Sequence, residues 1–314
     1  MSDQEATLKT YRANCHCAAY VYEVTLPEIS TASQCNCSVC YKKGALWVFP
    51  KPNDVKFIKG DPATLTNYTF GKRNFTHKVS SQFCPTCGNS IMFVGHLEPP
   101  KLGENKEPEN GINIRLFQHG QVDVWKLPLT KFDGAASLKP VYEPPKFTGQ
   151  EPTAEVEGGK LYTGSCHCGA VTLALKSKPL DNDSTEKFID CNCSICVKTQ
   201  LTMNVRAQAG YVWMYPNKTQ VVIEGKENLG KYLFGRKFGK KTFCRICGVP
   251  IHNRVMQFTE EELATKSKKD RDWILGGQAL APINLRIING LDVNDLKVTQ
   301  FDGYSVWQPP YVEP

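Results

Sequence analysis

A chain of 314 residues, 41% of them hydrophobic, is long enough for two ordinary domains and has the composition of a soluble globular protein. No apolar run is long enough to cross a membrane, and the first residues hold no apolar stretch of the signal-peptide type. The formal net charge is +7, but the basic residues are spread along the chain, and acids flank the densest basic run, 266–269. These features predict a cytoplasmic protein and disfavour membrane and nucleic-acid partners.

Short runs rich in β-branched and aromatic residues, separated by Gly, Pro and Asn, predict strands along the whole sequence. In chain order these runs lie at 46–49, 91–94, 112–117, 171–176, 211–215 and 221–223. A proline-rich insert occupies residues 97–110. The one predicted helix spans 259–272, with Thr259 as its N-cap and acids in its first turn. The pattern indicates a mainly β protein with few short helices.

All 14 cysteines fall in three clusters, which recur in the same order in each half. The first half contains Cys15 and Cys17, then Cys35, Cys37 and Cys40, then Cys84 and Cys87. The second half contains Cys166 and Cys168, then Cys191, Cys193 and Cys196, then Cys244 and Cys247. In a chain without a secretory signal, so many cysteines favour metal ligation over disulfides, because reducing compartments keep thiols free.

The repeat extends beyond the cysteines. The matching segments are 83–88 and 243–248 (Phe-Cys-x-x-Cys-Gly), 68–71 and 232–235 (Tyr-x-Phe-Gly), 113–115 and 284–286 (Asn-x-Arg), and 132–134 and 301–303 (Phe-Asp-Gly). Residues 143–159 are rich in proline, glycine and acids, which is typical of a linker. We therefore predict two tandem domains, 1–142 and 160–314, joined by a linker at 143–159.

Seven cysteines per half divide naturally into four plus three. Four thiolates close a tetrahedral zinc site, whereas three leave one position open for water or substrate. Cys35, Cys37 and Cys40 lie within six residues, so a single loop can turn their sulfurs towards one ion. The other four, Cys15, Cys17, Cys84 and Cys87, would then share a second ion. The second half repeats this pattern, so we expect two zinc ions per half and about four per chain.

The alternative for each three-cysteine loop is a second closed site with a fourth ligand from elsewhere. The candidates are His77, His119 and His252. None of them recurs at the matching position of the other half, where Met92 is the counterpart of His252. His16 and His167 do recur, but each lies between two cysteines of the other site, where side chains generally point away from the metal.

The Asn-x-Arg motif places two polar residues on an otherwise apolar strand in each half. These are Asn113 and Arg115, and Asn284 and Arg286. The arginine could clamp a substrate carboxylate through bidentate hydrogen bonds. It could equally form a structural pair with the aspartate of the Phe-Asp-Gly motif, and we favour that interpretation.

The segment 164–171, Gly-Ser-Cys-His-Cys-Gly-Ala-Val, precedes Cys-x-Cys-x-x-Cys and Phe-Cys-x-x-Cys-Gly, and this combination resembles the glutathione-dependent formaldehyde-activating family, which includes the centromere protein V domain. The resemblance covers both halves and implies two tandem zinc-stapled antiparallel β domains of the type called a β-tent. It implies that the isolated cysteine pairs bind a structural zinc and that the Cys-x-Cys-x-x-Cys loops hold a catalytic zinc. The ligands of that reactive zinc would be Cys35, Cys37 and Cys40 in the first half, and Cys191, Cys193 and Cys196 in the second.

The chain departs from the family pattern in three places. The family usually has histidine where this chain has Asn36 and Asn192, and the first half has Ala13 and Ala18 in place of two frame glycines. Gly44 follows the first three-cysteine loop, whereas residues 201–202, Leu-Thr, occupy the matching region in the second half. Metal ligation survives all of these changes, but the substrate does not follow from the family name.

The resemblance predicts a zinc-dependent carbon–sulfur lyase, similar to S-hydroxymethylglutathione synthase, that acts on glutathione or a related small thiol adduct. An open zinc would bind the thiol and lower its pKa, and the cysteines would hold the metal without attacking the substrate. One alternative is a non-catalytic zinc-stapled module that binds proteins or chromatin. Another is a zinc enzyme of detoxification or secondary metabolism with a thiol-independent substrate. A fourth protein ligand would favour the scaffold.

Overall fold

The structure is a computed structural model that describes residues 7–73, 77–96, 110–124, 126–198 and 212–314. Within these ranges the protein is mainly β, with strands in four sheets and a few short helices, so the predicted fold class is confirmed. No helix in the described part of the chain is long and apolar enough to span a membrane.

The first half contains a small and a large sheet. Its strands are β1 (Leu8–Asn14), β2 (Val21–Pro27), β3 (Ala32–Cys35), β4 (Trp47–Val48), β5 (Val55–Lys59), β6 (Thr66–Arg73), β7 (His77–Phe83), β8 (Ser90–His96), β9 (Asn110–Asn113), β10 (Leu129–Phe132) and β11 (Leu138–Lys139), and its helices are α1 (Ser38–Lys43) and α2 (Gly134–Ser137). The small sheet has the order β1-β2-β5, and the large sheet has the order β10-β3-β4-β9-β8-β7-β6-β11. β10 pairs with β3 in parallel, whereas the other neighbours are antiparallel.

The second half repeats this topology. Its strands are β12 (Lys160–Ser165), β13 (Thr172–Ser177), β14 (Ile189–Cys191), β15 (Trp213–Met214), β16 (Val221–Glu224), β17 (Leu229–Leu233), β18 (Gly239–Cys244), β19 (Pro250–Val255), β20 (Ile283–Asn284) and β21 (Thr299–Phe301), and its helices are α3 (Ser194–Lys198), α4 (Glu260–Ala264), α5 (Lys268–Gln278) and α6 (Gly303–Val306). The sheet orders are β12-β13-β16 and β17-β18-β19-β20-β15-β14-β21. The seven strands of this large sheet match β6, β7, β8, β9, β4, β3 and β10 of the first half in the same order, and β11 has no counterpart among the described strands.

Each half has a hydrophobic core of its own, and cysteines belong to both cores. Cys15 and Cys84 are fully buried in the first core, as are Cys166 and Cys244 in the second. Cys15 follows β1 of the small sheet, and Cys84 follows β7 of the large sheet. The cysteine pairs therefore lie where the two sheets of a half meet.

The strand predictions hold except at three places, the first of which is 46–49, where β4 covers only 47 and 48. Residues 112–117 were predicted as one strand, but β9 ends at Asn113, because the Asn113 side chain accepts a hydrogen bond from the Arg115 N–H (3.3 Å) and caps a 3-10 turn, Ile114–Leu116. Residue 211 of the predicted strand 211–215 lies outside the described residues, and β15 covers only 213 and 214. The proline-rich insert also lies outside them, apart from Asn110, which begins β9.

The predicted helix 259–272 is two helices, α4 and α5. Thr259 is the N-cap of the first, as predicted, and its hydroxyl accepts from the Glu262 N–H at 3.2 Å. The prediction of one continuous helix is wrong because Ser267 acts as a second N-cap, accepting from the Asp270 N–H at 3.1 Å. Serine favours such a cap over a helix interior, because its hydroxyl replaces a missing backbone acceptor.

The two halves pack closely against each other through equivalent residues. The rings of Phe83 and Phe243 meet edge to face, with centroids 6.4 Å apart. A Cβ added at Gly88 would lie 2.5 Å from the Phe243 ring, and one at Gly248 would lie 2.7 Å from the Phe83 ring. Each Cys-Gly turn is thus covered by the phenylalanine of the other half.

Candidate metal centres

Four cysteine sulfurs meet at one point in each half. We call Cys15, Cys17, Cys84 and Cys87 the first tetrad, and Cys166, Cys168, Cys244 and Cys247 the second tetrad. Within each tetrad the sulfurs lie within 4.8 Å of one another. The Sγ atoms of Cys15 and Cys17 are 3.5 Å apart, and those of Cys17 and Cys84 are 3.6 Å apart.

These distances suit a shared metal ion. All 14 cysteines are free, and the sulfurs are much farther apart than the roughly 2.05 Å of a disulfide. Zinc–sulfur bonds of about 2.3 Å in a tetrahedron place the sulfurs about 3.8 Å apart. The donor set and spacing of both tetrads therefore fit a closed four-thiolate zinc site.

The turn that carries the first two cysteines of each tetrad has the same backbone in both halves. Ala18 N–H donates to the Cys15 carbonyl at 2.9 Å. Ala18 has a φ of +56°, and Gly169, at the matching position, has a φ of +81°. The first half thus keeps the left-handed turn despite the loss of the frame glycine, at a cost of roughly 1–2 kcal/mol.

Three cysteine sulfurs meet at a second point in each half. We call Cys35, Cys37 and Cys40 the first triad, and Cys191, Cys193 and Cys196 the second triad. The three sulfurs of each triad lie within 4.8 Å of one another. The first residue of each triad ends a strand (β3 or β14), and the last lies in the short helix that follows (α1 or α3). One strand-to-helix turn therefore presents all three sulfurs.

A glycine of the Phe-Asp-Gly motif lies directly against each triad. A Cβ at Gly134 would lie 2.3 Å from the Sγ of Cys35, and one at Gly303 would lie 2.5 Å from the Sγ of Cys191. No side chain fits between this glycine and the sulfur, so the motif forms one wall of each triad.

The two residues that replace the family's histidine fasten the triad loop to that wall. Asn36 Nδ2 donates to the Asp133 carboxylate at 2.9 Å, and Asn192 Nδ2 donates to the Asp302 carboxylate at 2.7 Å. The Asn36 hydrogen bond holds the pKa of Asp133 below its usual value. The prediction that the arginine pairs with this aspartate is therefore wrong. The aspartate instead accepts hydrogen bonds from the asparagine side chain and from the N-terminus of the helix that it caps.

The two arginines instead lie buried at the contact between the halves. Arg115 Nε donates to the Gly44 carbonyl at 2.9 Å. Arg286 crosses to the other half, where it stacks on the Tyr41 ring, 4.9 Å from its centroid, and Nη1 donates to the Tyr41 carbonyl at 3.4 Å. Gly44, which ends α1 with a φ of +61°, is thus held by an arginine. The matching region of the second half, residues 201–202, lies outside the described residues.

No described histidine closes a triad. Among the described His, Asp and Glu side chains, none lies within 4.8 Å of all three sulfurs. His119 stacks on Tyr304, with centroids 4.1 Å apart, and His252 Nδ1 is hydrogen bonded to Thr242 Oγ1 at 2.6 Å. The side chain of His77 lies outside the described part of the chain. The triads are three-sulfur sites that fit a zinc ion with an open position.

A buried lysine contacts a sulfur of the second triad, whereas in the first half a buried lysine from a different element contacts the residue at the matching position. Lys241, in β18, donates from Nζ to the Sγ of Cys196 at 3.4 Å. The matching residue in β7 is Ser81, and its hydroxyl accepts from Lys43 Nζ, at the end of α1, at 2.7 Å. Hydrogen bonds from Cys191 and Cys193, assisted by Lys241, hold the pKa of Cys196 well below its usual value.

The recurring histidines point away from their own tetrads and reach the triad loop of the other half. His167 contacts Tyr68 Oη through Nδ1 (2.8 Å) and Ser38 Oγ through Nε2 (2.9 Å). His16 makes the matching contacts to Tyr232 (2.8 Å) and Ser194 (3.2 Å). Burial lowers the pKa of His167 to about 4 and that of His16 to about 3, so both rings are neutral at pH 7. Each tetrad is thus linked to the other half's triad.

Sequence reasoning missed these contacts between the halves. It placed His16 and His167 correctly as pointing away from the metal, but it gave them no partner. The available signal was that a serine inside each triad and a tyrosine in each Tyr-x-Phe-Gly motif also recur in both halves. These recurring residues turn out to be the partners.

A cavity of about 470 Å³ lies beside the first triad, at the contact between the halves. The triad loop contributes Cys37 and Ser38 to its wall, and the second half contributes His167 and Arg286. Tyr142, whose ring stacks on His167 with centroids 4.5 Å apart, forms another side. Cys37 of the first triad thus lines a space to which both halves contribute.

Comparison with known proteins agrees with this geometry. The sequence profile described as "Glutathione-dependent formaldehyde-activating enzyme" matches residues 10–102 and 161–270, which together are more than half of the chain. A crystal structure of a Rhodobacter sphaeroides protein is 24% identical, covers 44% of this chain and 98% of its own, and has a TM-score of 0.30, too low to bear on the fold. Two matching regions, each with a tetrad and a triad, show that the chain belongs to the glutathione-dependent formaldehyde-activating enzyme family, in two tandem copies.

Proposed function

We propose that the first triad and the cavity beside it form the active site of a zinc-dependent carbon–sulfur lyase that acts on glutathione or a related small thiol adduct. The proposal rests on the residues that line the cavity. Cys37, which belongs to a three-sulfur site with no fourth described ligand, lines a space of about 470 Å³. That is the size of an ordinary small-molecule site.

Cys35, Cys37 and Cys40 would hold the metal. When bound there, zinc with an open position supplies a Lewis acid that lowers the pKa of a thiol. In the direction of adduct formation, the thiol sulfur bonds to an aldehyde carbon and the thiol proton ends on the aldehyde oxygen. In the lyase direction, the same carbon–sulfur bond breaks and the proton returns to sulfur. No oxidant or reductant is needed.

The chain's own residues shape and orient the reaction space. His167, fixed between Tyr68 and the Tyr142 ring, holds the Ser38 hydroxyl at the cavity wall, where it can hydrogen bond to the substrate. Tyr142 forms one side of this space. Arg286 brings positive charge to the cavity wall, which suits the carboxylates of glutathione.

The test is the exchange of glutathione with its hydroxymethyl adduct in the presence of formaldehyde, followed by exchange NMR. We expect Cys37→Ser to abolish the enzyme-dependent exchange, while Cys193→Ser, the matched change in the second triad, retains most of it. Equal losses in the two variants would contradict the assignment to the first half. Turnover of an aldehyde without any thiol would favour the thiol-independent enzyme, and a zinc-loaded protein without turnover would favour the scaffold.

A further inference from the structure

Both halves bury a lysine two residues after the last triad cysteine, Lys42 in α1 and Lys198 in α3. Lys198 is 2% exposed, and its Nζ has three polar neighbours. These are the Asn14 side-chain oxygen (3.2 Å), the Leu116 carbonyl (3.2 Å) and a Glu313 carboxylate oxygen (3.1 Å). Lys198 thus donates to two oxygens of the first half and forms an ion pair with Glu313.

Lys42 keeps two of these neighbours and lacks the third. Its Nζ donates to the carbonyls of Ser165 (3.0 Å) and Ile287 (3.4 Å), at the positions that match the first two acceptors of Lys198. The position that matches Glu313 is Pro144, and no described carboxylate lies within ion-pair distance of Lys42. Both Lys42 and Pro144 line the cavity beside the first triad.

The remaining surroundings of the two lysines are alike. Each Nζ lies 5.8 Å from the centroid of a matching tyrosine ring, Tyr142 for Lys42 and Tyr311 for Lys198. Each lysine also lies near the tetrad of the other half, whose four thiolates would leave a zinc site with a charge of about −2. Both lysines can offset the negative charge of a tetrad. That role therefore does not explain why only Lys198 has a carboxylate, Glu313, beside it.

We propose that Lys42 binds a carboxylate of the ligand in the first cavity, in the place that Glu313 takes in the second half. The first site then prefers a small thiol that carries a carboxylate, and the second site is blocked by a carboxylate of its own chain. The inference rests on the proposed function, because it assigns the thiol of the same ligand to the first triad. A charge-assisted hydrogen bond of this kind changes affinity by about tenfold or more.

Two probes of equal length separate the carboxylate from the thiol. These are 3-mercaptopropionate and 3-mercapto-1-propanol, titrated calorimetrically and by the absorption of cobalt-substituted protein. We expect one 3-mercaptopropionate site per chain, with about tenfold or greater preference over the alcohol. Lys42→Met should remove the preference. Because that change lies in the core, Pro144→Glu on the exposed linker provides a second test. It should lower the affinity for 3-mercaptopropionate by a similar factor.

Glu313→Ala tests for a gain of binding. It removes the carboxylate that is paired with Lys198 and should therefore add a second 3-mercaptopropionate site. Equal affinity for the two probes, unchanged by Lys42→Met and Pro144→Glu, would overturn the inference and leave the proposed function standing. Binding of 3-mercaptopropionate that needs Lys42 but never changes the cobalt spectrum would support the carboxylate site and overturn the thiol function. Failure of both probes to bind would overturn both.

Discussion

The two triads hold their sulfurs in the same way and meet different surroundings. Both sit on a strand-to-helix turn against the glycine of a Phe-Asp-Gly motif, and both loops are fastened by an asparagine to that motif. Around them, Lys241 donates to a sulfur of the second triad, whereas Lys43 in the first half donates to Ser81, and Pro144 stands where the other half has Glu313. In this fold, the residues that hold a metal are therefore separate from those that select a ligand.

Within one half, loss of a tetrad cysteine should damage the protein far more than loss of a triad cysteine. The first tetrad joins residues 15–17 to 84–87, between the small and the large sheet, whereas the first triad closes only a short loop. Structural zinc contributes about 10–16 kcal/mol of apparent binding free energy, comparable with the whole stability of a domain. Cys84→Ser should therefore abolish soluble folded protein, while Cys37→Ser should fold and lose one zinc.

Soluble yield, circular dichroism and metal content measure the two variants side by side. Cys244→Ser and Cys193→Ser repeat the comparison in the second half. If Cys37→Ser and Cys84→Ser lost folded protein to the same degree, the assignment of a structural tetrad and a reactive triad would be wrong.

The two triads can be damaged one at a time without removing a cysteine. Wild-type protein purified without chelator should hold about four zinc ions. Gly134→Ala places a Cβ 2.3 Å from Cys35 Sγ, and Gly303→Ala places one 2.5 Å from Cys191 Sγ. Overpacking of this kind costs about 1–3 kcal/mol or more, so each variant should lose one zinc.

Only Gly134→Ala should also lose turnover, by about tenfold to a hundredfold, because Cys37 of its triad lines the cavity. Metal analysis and the exchange assay on the same preparations give both values. Equal loss of turnover in Gly303→Ala would show that the second triad is also active.

The grouping within each half followed from the sequence, but the contacts between the halves did not. The spacing of Cys35, Cys37 and Cys40 is short enough to predict one site, and the repeat predicted the rest. His167 and Ser38 lie 129 residues apart, and their contact depends on how two halves dock. Periodicity reports local burial only, so it held no sign of the cavity or of the ion pair between Lys198 and Glu313.

The errors in the secondary structure have local causes. The apolar run 112–117 continues past the end of β9, but Asn113 caps a turn there and stops the strand. In the predicted helix, Ser267 is followed by Asp270 at cap spacing and restarts the helix. In both cases a side chain bonded to the backbone overrode the pattern of apolar residues.

His252 distinguishes the second half, since Met92 stands at its place in the first. Burial lowers the pKa of His252 to about 4, from an unfolded value near 6.5. As the pH falls, the histidine therefore takes up a proton in the unfolded state before it does so in the folded state. The stability that neutral His252 contributes is present above pH 6.5 and is lost between about pH 6.5 and 4. It amounts to at most about 3 kcal/mol.

Urea unfolding at several pH values measures this loss. Acid also protonates the zinc-binding thiols of both halves. The informative quantity is therefore the slope of the free energy of unfolding against pH, compared between the wild type and His252→Met. The variant should lose less stability than the wild type between pH 6.5 and 4. Parallel slopes would show that His252 is not held neutral.

Thiol binding at the first triad should depend on pH. A thiol that binds through sulfur at neutral pH releases its proton. Its affinity should therefore rise by about tenfold per pH unit and level off near the thiol pKa, roughly 8.5. In cobalt-substituted protein, glutathione should change the thiolate-to-metal charge-transfer absorption, and Gly134→Ala should abolish most of that change while Gly303→Ala keeps it. A spectrum that saturating glutathione leaves unchanged at every pH would remove glutathione as the ligand and favour a closed scaffold or a thiol-independent substrate.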